Sequence, residues 1–345
     1  MAEFLGAFDP EVKLCIIDLR LPAFEGATQD NNGVGILQAI DKAGAGHVKL
    51  LAISAYPEEF SDIRAQFESR GCLLLDFNHK EVWQGVLKQM VLELQSAEQM
   101  DFIIFCALRK ERAPYTAMEE LGGSAKSNDN LTRLDVTIAG RRGTIVEMPR
   151  MGLVDAAIIA GKCIERFRPK IVAMSGICAG FTDRAELGQL LVPELAYEYQ
   201  SGKWSDEGFS GEPYQVPIGE RVRVLARALI EDPGLLPRLE HGLRLKRPMQ
   251  MSQPKLATFT SGSAVIASDE YMLQVAALHR RVSGLDMEVY AVHRAAHIAS
   301  CMPDVICAKT VVDLAGGDKD DTLHSYGCVI SARFTVEFLE SYFQQ

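Results

Sequence analysis

No apolar stretch in this chain approaches the roughly 20 residues that a membrane-spanning helix needs, and no charged-then-apolar leader opens it. Its eight cysteines form no CxxC pair, and several sit inside apolar runs such as Leu14-Cys15-Ile16-Ile17. That pattern argues against a disulfide frame or a zinc site and for buried, reduced thiols. Positive charge is in short supply: 36 Lys and Arg against 46 Asp and Glu leave a formal net charge of −10. A basic face able to grip a nucleic-acid backbone is therefore not expected, although a local cluster of Arg and Lys can still hold a small anion. Repeats and low-complexity tracts are absent. The expectation is a cytoplasmic protein with no cofactor and with neither nucleic acid nor membrane as a partner.

What is present is ordinary globular material: 345 residues, 48% hydrophobic and 24% charged, long enough for about two domains. Strand-like and helix-like patterns alternate throughout, which implies an α/β fold. The boundaries read as a segment over 1–95, a polar joint over 96–100 and a larger domain over 101–345.

Two stretches near the C-terminal end carry the chemistry. In Ser283-Gly284-Leu285-Asp286-Met287-Glu288, a carboxylate, Glu288, precedes a run with helical spacing from Val289 to His297. In Asp304-Val305-Ile306-Cys307-Ala308-Lys309-Thr310-Val311-Val312, a β-branched run ends in Asp313, where a buried strand should emerge into a loop. One carboxylate entering a helix and another leaving a strand can share a pocket suited to acid/base chemistry. They can equally be a helix N-terminal acid and a turn residue. His293 and His297 have the spacing of a zinc helix, but Arg294 stands where such a helix needs a glutamate. Gly176-Ile177-Cys178-Ala179-Gly180 lacks the spacing of a dinucleotide fingerprint.

Met287-Glu288 with Asp313 downstream resembles the signatures of the purine nucleoside phosphorylase and methylthioadenosine nucleosidase superfamily. Three further stretches fall in that family's order: Ile103 to Glu111 as first strand and acidic loop, Ser175 to Gly180 as Gly-rich turn, and Ser261-Gly262-Ser263-Ala264-Val265-Ile266. The resemblance covers 101–345 and implies a nucleoside-phosphorylase-like domain with a mixed, partly closed sheet. It implies that Asp313 protonates N7 of the leaving purine, from a pocket that keeps it protonated. Glu288 would hold the ribose 2′ and 3′ hydroxyls, Met287 would pack on the sugar, and Glu111 would activate water. Gly176, Ile177, Val265 and Ile266 would line the base and sugar. A glutamate at position 111 favours water over phosphate as nucleophile, because it would repel the anion; on the residues alone it can also be a solvated charge. Arg109, Lys110, Arg150 and Lys203 are candidate partners for phosphate oxygens, or else surface charges.

The first segment places Asp18, Ser54 and Lys80 after three strand-like runs, so that they would meet at one edge of a parallel sheet. It resembles the later part of a two-component receiver domain, with Asp18 as phosphoacceptor-like residue. About ten residues precede the Asp18 strand, leaving no room for the receiver's first strand and its metal-holding acids; Asp9 and Glu11 do not substitute for them. The segment is then a shortened or degenerate docking module, and Asp18 is equally a turn residue before Pro22. The stretch from Tyr197 to Pro217 is expected to loop over the pocket.

Together the resemblances imply hydrolysis of the N-glycosidic bond of a purine nucleotide. ATP cleaved to adenine and ribose 5′-triphosphate is favoured, by a homo-oligomeric effector of a defence-type system answering to an upstream kinase or phosphotransfer protein. The alternatives are a nucleosidase or phosphorylase for unphosphorylated purine nucleosides and a catalytically silent, nucleotide-sensing regulator.

Overall fold

The computed structural model of the chain describes residues 12–19, 21–22, 29–30, 33–43, 45–58, 64–128, 131–314 and 321–344. Asp9 and Glu11 lie outside them. The chain divides into two units, Met1–Glu98 and Gln99–Gln345.

In the first unit three parallel strands, Leu14–Asp18, Lys49–Ser54 and Leu73–Asp76, lie side by side in that order. The middle strand is almost wholly buried, as a parallel strand covered on both faces must be. Helices Gly33–Lys42, Arg64–Ser69 and Lys80–Glu98 alternate with these strands, and Ile17, Leu50, Ala52, Phe67 and Leu74 form the core. The last helix corrects one expectation. It runs through Ser96 and Ala97, read above as part of a polar joint, and ends at Glu98. Nothing in Gln-Ser-Ala-Glu breaks a helix: there is no Gly or Pro, so polarity alone does not stop the turn.

The second unit is built on a ten-stranded mixed sheet. Ile171–Gly180 is its axis, parallel to Phe102–Cys106 on one side and to Asp304–Asp313 on the other. The sheet then closes on itself. Asp304–Asp313 pairs with Leu190–Glu198, which pairs with Lys255–Ser261, which pairs with Val282–Asp286, and that strand returns to the far end of Ile171–Gly180 through Ala179 and Gly180. The mixed, partly closed sheet expected from the sequence is therefore present. Beyond Phe102–Cys106 the sheet continues as a meander of Arg141–Glu147, Leu131–Ile138 and Ser124–Asn128. Helices Leu153–Phe167, Val289–Ile298 and His324–Gln344 bury their apolar faces in the same core as these strands.

Two local expectations fail here. Ser175 to Gly180 is not a turn but the second half of the axial strand; Ser175, Gly176 and Ile177 pair with Ala308, Lys309 and Thr310. The stretch after Tyr197 continues as strand to Glu198 and then folds into a hairpin, Gly202–Ser205 with Gly208–Gly211. Trp204 and Phe209 pack together across it, with ring centroids 5.2 Å apart, and that cross-strand pair holds the hairpin.

Candidate active site

Parallel strands end at one edge of a sheet, and side chains leaving them there converge. Three do so here: Asp286 at the end of Val282–Asp286, Lys309 inside Asp304–Asp313, and Asp313 where that strand runs out. Glu288 comes two residues after Asp286, at the start of helix Val289–Ile298. Glu111 comes from the first turn of helix Arg109–Thr116, which follows Phe102–Cys106.

Glu111 is 2% exposed. One oxygen, Oε2, accepts the backbone N–H of Ala107 at 2.9 Å and of Leu108 at 3.0 Å, and the other, Oε1, accepts the N–H of Ile177 at 2.9 Å. The bond from Leu108 is the glutamate half of a capping box and fixes the start of the helix. The bond from Ile177 ties that helix to the axial strand. A carboxylate has about four lone-pair positions; three are filled, and the one left is on Oε1. Gly176 makes this approach possible. A Cβ there would lie 2.1 Å from Glu111 Oε1, so no residue with a side chain fits while the carboxylate stays in place.

Asp286 is a scaffold. It accepts the hydroxyl of Ser261 at 2.7 Å and the N–H of Val289, while Ser261 Oγ takes the N–H of Tyr290 at 3.0 Å. Together they satisfy the first donors of helix Val289–Ile298. Glu288 is 4% exposed, and its Oε1 accepts the N–H of Gly152 at 2.9 Å. Gly152 can present that N–H because it sits at φ +122°, a backbone conformation open to glycine.

Lys309 binds the cluster together. Its ammonium is fully buried, 3.1 Å from Asp286 Oδ2 and 3.9 Å from Glu288 Oε2. The contact with Asp286 is close but poorly aligned, and Nζ has no well-directed hydrogen-bond partner among the described residues. Burial works against the charged ammonium, yet Asp286, Glu111 and Glu288 outweigh it and hold the lysine above its ordinary range. For Glu288, burial is the largest influence. With the neighbouring Asp286 and Glu111 it pushes the carboxyl up to about 7, against the opposing pull of Lys309 and the Gly152 N–H.

Glu111, Asp286 and Glu288 line a cavity of about 180 Å³. Of the residues singled out from the sequence, Glu111, Glu288, Asp313, Met287, Ile177, Val265 and Ile266 line it. Gly176 lies behind Glu111 instead of facing the cavity. Arg109, Lys110, Arg150 and Lys203 are exposed and outside the lining. Lys203 stands on the 202–211 hairpin, and nothing from Tyr197 to Pro217 lines the cavity, so the expected loop over the pocket is absent from its walls. Arg112 is held by Glu147 at 2.8 Å. His293 is buried, its ring placed by the carbonyl of Val216, whereas His297 is exposed. In the first unit Asp18 and Ser54 end neighbouring strands, Asp18 exposed and Ser54 buried, and Lys80 opens an exposed helix turn.

Asp286, Lys309, Ser261, Gly152 and His324 escaped the sequence reading. For Lys309 a signal was there: a lysine inside an otherwise apolar buried strand needs acidic partners.

Residues 101–337 match the family model described as phosphorylase superfamily. Uncharacterized protein y4jS of Sinorhizobium fredii is 35% identical over 194 residues, which are 55% of this chain and 47% of that protein. ATP nucleosidase Cap17 of Escherichia coli is 26% identical over 210 residues, 57% of this chain and 41% of that one. The chain thus spans less than half the length of these curated relatives. Among solved structures, the 5′-methylthioadenosine/S-adenosylhomocysteine nucleosidase of Neisseria meningitidis superposes with a TM-score of 0.57 at 16% identity, over 70% of this chain and 98% of that one. Futalosine hydrolase of Helicobacter pylori gives 0.57 at 14% identity, over 70% and 97%. At such identities the likeness is one of fold. No helix among the described residues is long and apolar enough to cross a membrane.

Proposed function

Because the chain belongs to the phosphorylase superfamily, we propose that it hydrolyses the N-glycosidic bond of a purine nucleotide, with ATP the favoured substrate. The observation that carries this reading is Glu111, a buried carboxylate with one lone-pair position left over. A water donating to that position is held for attack on the anomeric carbon, and Glu111 takes its proton. The site holds three buried acids, Glu111, Asp286 and Glu288, against one buried base, Lys309. That excess of negative charge stabilises a sugar that becomes cationic as the bond to the base breaks. It also disfavours inorganic phosphate as nucleophile.

The remaining roles follow from position. Glu288 Oε1 is occupied by Gly152, so Oε2 is the oxygen that accepts the sugar hydroxyls. Lys309 keeps Glu288 and Asp286 in place and lowers the cost of ionising Glu288. Asp313, half-buried at the strand end, gives its proton to the departing purine nitrogen, and Met287 packs on the sugar. ATP is favoured because a relative that bears that activity in its name matches over 57% of this chain. The first unit is, in the same proposal, a docking segment through which a defence-type signalling partner acts.

The test is direct. The purified protein is incubated with ATP, dATP, AMP, adenosine and methylthioadenosine, with and without inorganic phosphate, and chromatographed for free base. Base release from ATP without phosphate is expected. Release that requires phosphate would make the protein a phosphorylase, and release from nucleosides alone would make it a nucleosidase of unphosphorylated substrates.

A further inference from the structure

The walls of the cavity limit where charge on a substrate can go. Glu111, Asp286, Glu288 and Asp313 all line it, and the nearby ammonium of Lys309 is already engaged by Asp286 and Glu288. A phosphate chain pushed inward would meet carboxylates in a setting with little water to screen them. It must therefore project outward, past the residues that are both lining and solvent-facing. Those include Met151 at 49% exposure and Val265 at 62%, and neither can hold an anion.

His324 can. It lines the cavity and opens the helix His324–Gln344, so the helix end it occupies also favours negative charge. Its Nδ1 lies 2.7 Å from Lys110 Nζ, and Asp321 Oδ1 lies 3.2 Å from its Nε2. Lys110 directly precedes Glu111 in the first turn of helix Arg109–Thr116. The imidazole thus carries a cationic side chain from outside the cavity to its rim. With Nδ1 accepting one ammonium N–H, Lys110 keeps two donors for an incoming oxygen. The Asp321 side chain is 88% exposed, so an incoming phosphate oxygen can compete with it for the imidazole.

We propose that the Lys110–His324 pair at the rim of the cavity receives the 5′-phosphate of the substrate and so makes 5′-phosphorylation the feature by which this site selects nucleotides over nucleosides. The assignment rests on the reading of the cavity as a purine-nucleotide site. It differs from that reading in what it predicts, because it concerns the ratio between two substrates and not the reaction itself.

The variants Lys110→Met and His324→Phe keep the stem and the ring and remove the donors. Calorimetric titration with ATP and with adenosine is run on the full-length protein carrying Glu111→Gln, so that no turnover intrudes, with and without each rim substitution. Kinetics on the same two ligands are measured in the Glu111 background. Loss of a charge-assisted contact at a partly wet site is expected to lower the ATP:adenosine preference by about tenfold for either variant, in affinity and in kcat/KM. The double variant should fall little further, since the two groups act as one. An unchanged preference overturns the assignment, as does a fall of the same size for both ligands, which would mark a merely structural contact. Absence of base release together with rim-dependent ATP binding would sink the hydrolytic reading and leave the rim assignment standing. Absence of ATP binding would overturn the rim assignment itself.

Discussion

Both units of this chain end parallel strands in polar side chains, but they treat those side chains differently. In the first unit Asp18 and Lys80 are exposed. The buried member, Ser54, is a neutral hydroxyl that accepts the N–H of Tyr56 at 3.1 Å. In the second unit Glu111, Asp286, Glu288 and Lys309 are all less than a tenth exposed. Burying an ion costs several kcal/mol unless partners are fixed around it, and here the partners are fixed by three backbone N–H groups, a helix start, a glycine in a special conformation and an ion pair. A fold carries that cost where preorganised charge does chemistry. The proposed catalysis therefore belongs with the buried charges of the second unit, whereas in the first Asp18 and Lys80 face solvent and Ser54 is a buried neutral hydroxyl.

The contrast can be broken most sharply at Glu111. Glu111→Gln keeps size and most hydrogen bonding but removes the base, so turnover should fall about a hundredfold or more while nucleotide still binds. Near-normal base release in that variant would remove Glu111 from water activation. Gly176→Ala asks the same question without touching a polar group. The added methyl would sit 2.1 Å from Oε1, so the carboxylate must move, and a fall of about tenfold to a hundredfold is expected in kcat with a smaller change in KM. If Gly176→Ala turns over normally, the Ile177–Glu111 bond does not position the base.

How much of this was legible beforehand follows from where each contact comes from. Glu288 and Asp313 announce themselves locally, one before a helical run and the other after a buried strand, and both line the cavity. Lys309 was equally visible as a charge inside an apolar run, but its meaning depends on Asp286, which reaches it only through sheet pairing. Gly176 stands in a Gly-rich run that reads as a turn, because nothing in the local pattern shows that a carboxylate 65 positions earlier needs the space. The stretch from Tyr197 to Pro217 reads as loop because it is rich in Gly, Ser, Tyr and Glu, whereas the hairpin within it is held by the Trp204–Phe209 pair across its strands. The closed sheet was expected from family resemblance and not from periodicity, which carries no information about which strands meet.

Lys309 supplies a subtler test of the comparison, since it separates a charge that tunes from a charge that merely packs. Glu288 is held near 7; below that it is protonated and a poorer acceptor for sugar hydroxyls, above it an anion, so activity should rise as pH passes through about 7. Removing the ammonium in Lys309→Met takes away the group that lowers the cost of the anion. The acid limb should therefore move to higher pH, by about one unit or more, and the rate at pH 7 should drop by about tenfold. Lys309→Arg keeps the charge and should return the limb toward its original position. A profile that stays put in Lys309→Met, with only a loss of stability, would make the lysine structural.

The smallest effect is expected at Asp18, and its smallness is what the comparison claims. Asp18 ends an edge strand of the three-stranded sheet in the first unit, where it is exposed. Phosphorylation of a receiver-type aspartate needs acids that hold Mg²⁺ beside it, because the metal neutralises the incoming phosphoryl group. Asp18→Ala should leave turnover of this chain within about twofold, with or without acetyl phosphate and Mg²⁺. Intact-mass spectrometry run beside the assay reports the chemistry as well as the rate. A phosphoryl mass that appears with acetyl phosphate, disappears in Asp18→Ala and changes base release would show that the first unit controls the second. In that case exposure at Asp18 is access for a phosphodonor, and the inference from burial to function would hold only for the second unit.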